Sequence, residues 1–198
     1  MVSDELERQI ISQGFSLVAG IDEVGRGCLA GPVVAAACIL DFSKPLPKGL
    51  NDSKKLSVKE RERLYAEIKE NCVAYSVAQV EAEEIDKINI LQATKKAMKK
   101  AVEELLPVPD FLLIDAITLE AVKISQKSII RGDQTCASIA AASIIAKVYR
   151  DNLMKEFDKI YPLYGFAKHV GYGTKLHLEA LRRNGPCPIH RKSFRGVC

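Results

Sequence analysis

Two kinds of apolar run alternate along the chain. Residues 17–21 and 33–40 are continuously apolar, the pattern of short strands covered on both faces. Residues 73–80 read as a third strand and 111–114 as a fourth, while 121–130 supply a fifth, or a strand with a loop. Between them the spacing turns helical. Ser57, with Glu60 three places on, forms a capping box that opens a helix to about Asn71, with Leu64, Tyr65 and Ile68 on one face. Residues 41–51 carry Pro45, Pro47 and Gly49 and read as a loop, and 81–87 as a short acidic helix or turn. Asn89 caps a longer helix that ends before Pro107 and carries Ile90, Ala93, Ala97, Ala101 and Leu105 near helical spacing. A long helix over 138–160 begins on Ala140, Ala141, Ala142 and Ser143, small residues that permit close packing on a sheet, and Pro162 and Gly165 end it. Thr174 caps a last helix that Gly185 terminates.

Strands alternating with helices imply an α/β sheet. The first links are too short to hold helices, so the sheet is mixed rather than all-parallel. Active sites in such sheets gather beyond strand ends. The first strand finishes in adjacent carboxylates, Asp22 and Glu23, followed by Gly25-Arg26-Gly27. Glycine lets backbone approach a ligand closely, and arginine adds a fixed charge suited to phosphate. Taken alone, the pair also reads as a salt-bridged strand end. The fourth strand, however, also ends in an acid, Asp115, and Asp133 stands on the approach to the long helix.

Composition narrows the class. The 198 residues are 47% hydrophobic, enough for one sizeable core with at most a small appendage. No apolar run reaches the length of a membrane span. The N-terminal 13 residues, with apolar spacing at Leu6, Ile10 and Ile11, lack the basic start and long apolar core of a signal peptide, so a cytoplasmic setting is expected. The cysteines (Cys28, Cys38, Cys72, Cys136, Cys187, Cys198) form no CxxC pair and read as reduced thiols rather than zinc ligands. The net charge of +4 is concentrated at 95–100 and 168–195. Such clusters track a phosphate backbone or cover a solvated helix face; the lysines at 95–100 read as the second. Only His169, His177 and His190 are present, without HExxH spacing, and neither a P-loop nor a GxSxG elbow occurs.

Four converging acids repel one another unless something offsets them. A hard divalent cation does so, and magnesium favours few carboxylates together with waters and substrate phosphates. Two such ions about 4 Å apart clamp both oxygens of a phosphodiester displacement.

At this point the blocks of sequence are specific. They are Gly20-Ile21-Asp22-Glu23-Val24-Gly25-Arg26-Gly27 with Leu29-Ala30-Gly31-Pro32, Asn51-Asp52-Ser53-Lys54, Ile114-Asp115 and Gly132-Asp133. They continue as 141–151, His169-Val170-Gly171-Tyr172-Gly173-Thr174-Lys175 and 188–194. In this order they resemble bacterial ribonuclease HII, a type 2 ribonuclease H, from Val18 to Phe194.

The resemblance implies an RNase H-like fold: a central five-stranded mixed sheet flanked by helices, with a small helical C-terminal extension. It divides the chain into a catalytic domain over 1–165 and a substrate-binding extension over 166–198. It implies an endonuclease using Mg2+ or Mn2+ that cuts RNA paired with DNA. Single ribonucleotides in duplex DNA are cut on their 5′ side, leaving a 3′-hydroxyl and a 5′-phosphate, as in ribonucleotide removal from DNA. The carried-over catalytic acids and metal ligands are Asp22, Glu23, Asp115 and Asp133. Gly25, Arg26 and Gly27 would read the 2′-hydroxyl, largely by backbone, and Tyr172 would stack on the following deoxyribose. The 2′-hydroxyl is what separates RNA from DNA.

Lys54 suits a phosphate near the cut. Lys147 and Arg150, three apart on one helix face, meet phosphate or else pair with local acids. His169 and His190 suit structural roles at least as well as catalytic ones. A monomer is expected, with no membrane partner. Many members of that family continue well beyond the block at 188–194, whereas this chain stops at Cys198. The rival readings are an RNase H-like nuclease of other specificity and a hybrid-binding protein without catalysis.

Overall fold

A computed structural model describes residues 2–197; Met1 and Cys198, the latter among the expected thiols, lie outside the described residues. Helix α1 (Glu5–Ser12) precedes strands β1 (Val18–Val24) and β2 (Val33–Leu40), then α2 (Val58–Asn71) and β3 (Cys72–Val80). Helices α3 (Ala82–Ile88) and α4 (Ile90–Glu103) lead to β4 (Phe111–Asp115) and β5 (Ser125–Ile129). A 3-10 turn (Gly132–Gln134) precedes α5 (Ala137–Ile160), and α6 (Phe166–His169) and α7 (Lys175–Asn184) close the chain.

One five-stranded sheet runs in the order β3-β2-β1-β4-β5. β2 lies antiparallel between β1 and β3, while β4 pairs parallel with both β1 and β5. The sheet is therefore mixed, as the short first link requires. The unbroken apolar run of β2 has a direct explanation. Val33, Ala35, Ala37 and Ile39 face a core with Ala93, Ala97 and Met98 of α4. Val34, Ala36, Cys38 and Leu40 face a second core with Leu64 and Ile68 of α2 and Ala141 and Ile145 of α5. Alternation of side chains across a strand thus fills two layers.

The caps form as the sequence suggests. Ser57 and Glu60 make the reciprocal capping box, Asn89 accepts from the amides of Leu91 and Gln92, and Thr174 accepts from His177. The small-residue start of α5 lies directly on β1: a Cβ at Gly20 would stand 2.0 Å from the carbonyl carbon of Ser138. α1 closes the other side, where Glu7 Oε1 accepts from the backbone amide of Ser138 at 2.8 Å and its hydroxyl at 2.7 Å. β5 is a largely exposed polar edge strand, shorter than the 121–130 stretch, because its residues face solvent and leave little apolar signal. Helix α6 is four residues long, too short for periodicity to reveal. The C-terminal segment packs Phe166, Ala180 and Leu181 against Met154 of α5 and Ala30. Among the described residues no helix is long and apolar enough to cross a membrane. Cys28, Cys38, Cys72, Cys136 and Cys187 are free thiols.

Candidate active site

The ends of β1 and β4 lie side by side because those strands pair in parallel, Ile21 opposite Ile114. That pairing brings Asp22, Glu23 and Asp115 to one edge. The 3-10 turn delivers Asp133 beside them, held by the amide of Gly132, which donates to Asp115 Oδ1 at 2.7 Å. Asp22 is 3% exposed and Asp133 is also buried. Burial, then the charge of Glu23, pushes the Asp22 carboxyl well above its ordinary range. Burial likewise raises Glu23, against the opposing pull of Arg26, and raises Asp115. Glu23 Oε2 is buried and, among the described residues, has no hydrogen-bond partner. Among the described residues no three acidic, histidine or cysteine side chains are gathered tightly enough to enclose an ion unaided.

The loop after β2 folds over these acids. Ser53 shares a 2.9 Å hydrogen bond with Ser143 of α5, whose hydroxyl acts to lower the pKa of Asp22 against the larger effect of burial. Asp52, buried, accepts from the Lys54 amide at 2.9 Å and from Gln134 Nε2 at 3.4 Å. Lys54 Nζ then stands 3.6 Å from Asp133 Oδ2. Partial burial works against the Lys54 ammonium, but Asp133, Asp22 and Asp52 outweigh it and hold its pKa above the ordinary value. A cleft of about 300 Å³ opens here, lined by Glu23, Ser53, Lys54, Ser143, Lys147 and Tyr172 among others. A larger groove of about 800 Å³ along α4 is remote from the acids. There Lys95 pairs with Glu120 and Lys96 with Glu84, so the lysine-rich face is a solvated, ion-paired surface.

The Gly25-Arg26-Gly27 turn is less open than its composition suggests. Gly25 has φ +93, and a Cβ there would meet Arg150 Nε at 2.2 Å, so glycine is demanded by the arginine beneath. Gly27 has nothing within 4 Å of a Cβ and faces open space. Arg26 lies 3.2 Å from Glu23 Oε1 and is engaged with an acid of the site.

Arg150 corrects the expectation made for it. Its side chain is fully buried, and its guanidinium is taken up by backbone carbonyls rather than by an acid. It donates to the carbonyls of Pro32 at 3.0 Å, Val170 at 2.8 Å and Ala30 at 3.0 Å. Lys147, by contrast, reaches the cleft and forms the acid pair, 2.7 Å from Asp151 Oδ1. Tyr172 stands at the cleft, 39% exposed as a residue.

Comparison with known proteins places this arrangement. The sequence model of the family Ribonuclease HII matches residues 19–197. The chain belongs to the ribonuclease HII family. A Ribonuclease HII of Desulfitobacterium hafniense is 61% identical over 191 residues, 96% of this chain and 73% of that protein. One from Chlamydia caviae is 57% identical, covering 95% of this chain and 88% of the relative. The crystal structure of ribonuclease H2 from Pyrococcus horikoshii OT3 superposes with a TM-score of 0.77 at 25% identity, covering 92% of this chain and 95% of that one. The sheet order and flanking helices are thus an RNase H-like fold, and the protein is a type 2 ribonuclease H, a hydrolytic nuclease.

Several residues around this candidate site were not singled out by sequence reasoning. Ser53 and Ser143 tie the loop to α5 beside Asp22. Arg191, fully buried, donates twice to Gly31 O, at 3.0 and 2.8 Å, and once to Arg26 O at 2.9 Å. Arg61 holds the loop through the carbonyls of Ser53 and Leu56, both at 2.9 Å. The available signal for Ser143 was a hydroxyl at the end of a run of alanines in a largely apolar, sheet-facing stretch. Arg191 offered none, because a buried arginine satisfied by carbonyls reads like a surface one.

Proposed function

We propose that this protein is a divalent-metal-dependent endonuclease that cuts the RNA strand of RNA–DNA hybrids and the 5′ side of single ribonucleotides embedded in duplex DNA. Mg2+ or Mn2+ serves it, and its task is removal of ribonucleotides from DNA. The observation that carries the reading is one cleft shared by Glu23, Lys54 and Tyr172, whose lining also includes Val24, the residue just before the Gly25-Arg26-Gly27 turn.

The residues present fit a hard cation. Every donor is oxygen, as a hard cation prefers; among the described residues Glu23 Oε2 is buried without a partner, and burial with like charge holds Asp22 in its protonated direction. The last two features are relieved by positive charge. Asp22, Glu23, Asp115 and Asp133 would hold the metal, and when bound it offsets the charge gathering on the reacting phosphate.

The remaining work belongs to the chain. The open backbone at Gly27 and the turn around it meets the 2′-hydroxyl of the target. Tyr172 packs on the next sugar, which in a DNA context lacks that oxygen. Lys54 receives phosphate near the cut. The balance of the reaction follows. A water oxygen bonds to phosphorus while the bond from phosphorus to the preceding 3′-oxygen breaks. That oxygen leaves as a 3′-hydroxyl, taking up one proton in place of the one the attacking water gives up, and the phosphate stays on the 5′-oxygen of the ribonucleotide. Residues 166–198, which contribute Tyr172, act as the substrate-binding extension of a catalytic domain over 1–165.

The test is cleavage of an end-labelled duplex with one ribonucleotide, with Mg2+ and with Mn2+, mapping the cut. Cutting 5′ to that ribonucleotide is the expected result. Cutting only within runs of ribonucleotides favours a nuclease of other specificity, and binding without cleavage contradicts the acid assignment.

A further inference from the structure

The three histidines of the chain are all buried, at 6% exposure for His169, 0% for His177 and 1% for His190. Their rings form one stack under the Tyr172 turn. The His169 and His177 centroids are 4.4 Å apart at 15°, and Tyr164 and Phe166 pack against His190.

The partners fix each tautomer, because a carbonyl only accepts and a backbone amide only donates. His177 Nδ1 is 2.9 Å from the carbonyl oxygen of Tyr172, so Nδ1 carries the hydrogen and donates. His190 Nδ1 accepts from the Cys187 amide at 2.9 Å. The Cys187 carbonyl, farther from that nitrogen at 3.3 Å, already takes the His190 amide at 3.0 Å. His190 Nε2 therefore carries the hydrogen and donates to bare His177 Nε2 at 3.0 Å. His169 donates from Nε2 to the Tyr164 carbonyl at 2.9 Å and accepts at Nδ1 from the Gly171 amide at 3.2 Å. With all rings neutral every nitrogen is satisfied. A proton added to any of them sets N–H against N–H. Burial pushes His177 down and His190 down to about 4, in keeping with neutral rings.

The turn they hold needs holding. Val170 has φ 45 and ψ 34, a left-handed conformation that a β-branched residue rarely adopts. Such strain persists only where surrounding contacts over-determine it. The Gly171 amide and the Tyr172 carbonyl, on either side of the Tyr172 amide, are each pinned by a histidine.

We propose that His177, seated by His190, is the positioning residue that sets the Tyr172 ring over the cleft, with His169 fixing the amide before it. The proposal rests on the reading that Tyr172 packs on the sugar after the target.

Two measurements test it. The first compares kcat/KM on a one-ribonucleotide duplex and on a continuous RNA–DNA hybrid, for wild type, His177→Leu, His177→Asn, His177→Gln, Tyr172→Ala and the double His177→Leu/Tyr172→Ala. Asparagine places an N–H where Nδ1 stood; glutamine places its amide at Nε2. His177→Leu should lower the preference for the single ribonucleotide by about fivefold or more, the low end for loss of an aromatic stack. His177→Asn should keep the preference and His177→Gln lose it. The double variant should be no worse than Tyr172→Ala. Equal loss on both substrates, or unchanged preference in His177→Leu, overturns the proposal. Unchanged preference in Tyr172→Ala instead sinks the reading of Tyr172 itself, so the two failures are told apart. The second measurement is independent of how the variants fold. Ring ¹⁵N shifts of the wild-type protein at neutral pH should show His177 protonated at Nδ1 and His190 at Nε2. A charged ring or the opposite tautomer at either position overturns the proposal.

Discussion

The two sides of the cleft are built on opposite plans. On the acid side, charge is left open. Asp22 is held protonated-leaning by burial and by Glu23, and among the described residues Glu23 Oε2 has no partner. On the side of the Gly25-Arg26-Gly27 and Tyr172 turns, the carbonyls beneath the turns are already satisfied. Arg150 and Arg191 place their guanidinium donors on the carbonyls of residues 26, 30, 31, 32 and 170. The first side is completed by what binds there. The second is rigid before anything binds, as preorganised recognition requires. Buried arginines on carbonyls also leave a positive field beneath the turn proposed to meet nucleic acid.

The comparison breaks most sharply at Asp22. Asp22→Asn should cut kcat on either substrate by more than a hundredfold, or more than about 2.7 kcal/mol, while hybrid binding persists. Activity above about a hundredth of wild type counts against Asp22 as a core ligand. The same change should stabilise the metal-free protein. A carboxyl whose pKa is raised by folding binds more protons folded than unfolded, so stability falls as pH rises above the ordinary carboxylate value of about 4. Wild type without metal should therefore lose Tm from mildly acidic to neutral pH, Asp22→Asn should lose less, and added Mg2+ should restore wild type alone.

On the closed side, the largest effect is on stability. Arg150→Met keeps the stem and removes the donors, leaving the carbonyls of Ala30 and Pro32 without the guanidinium and that of Val170 with only the weak Cys28 thiol donor. At about 1–3 kcal/mol for each buried group left unsatisfied, a total of roughly 3 kcal/mol or more is expected. In a chain of this size that lowers Tm by about 6 °C or more. A melt within about 1 °C of wild type would show that the guanidinium is replaceable.

The fold was legible because its signals are local and repeat. Continuous apolar runs marked β1, β2 and β4, and caps at Ser57, Asn89 and Thr174 set helix starts. Exposed β5 and four-residue α6 carry weak periodicity and were blurred or absent. In the site, acids at strand ends were readable because strand order alone brings them together. What the sequence hid is what satisfies buried groups. Arg150 looked like a phosphate ligand because an arginine near lysine on a helix face gives no sign of which way it points. Asp52, Ser143 and Arg191 are ordinary polar residues until the chain folds around them.

A milder break concerns the junction. Tyr172→Ala should lower kcat/KM on the one-ribonucleotide duplex by a factor of about five to a hundred, from about 1–3 kcal/mol of stacking. On continuous RNA the loss should be smaller, since the sugar there already carries a hydroxyl against the ring. Equal losses on both would make Tyr172 a general packing residue.

The smallest effect sharpens the line between the two sides. The Lys54 side chain is 71% exposed, yet its ammonium stands 3.6 Å from Asp133 Oδ2. It has two available roles, a phosphate contact or a counter-charge for the acids. Salt separates them, because each phosphate contact releases counterions and adds about 0.9 to the slope of log affinity against log salt. If Lys54 meets phosphate, Lys54→Ala should reduce that slope by about one and weaken binding alike for hybrids and ribonucleotide-containing duplexes. If it only steadies Asp133, the slope should stay as it is while kcat falls. The expected outcome is the reduced slope. Lys54 rises from the edge of the cleft and its pairing is long for an ion pair, so an incoming phosphate competes for the ammonium without having to displace a tight bond.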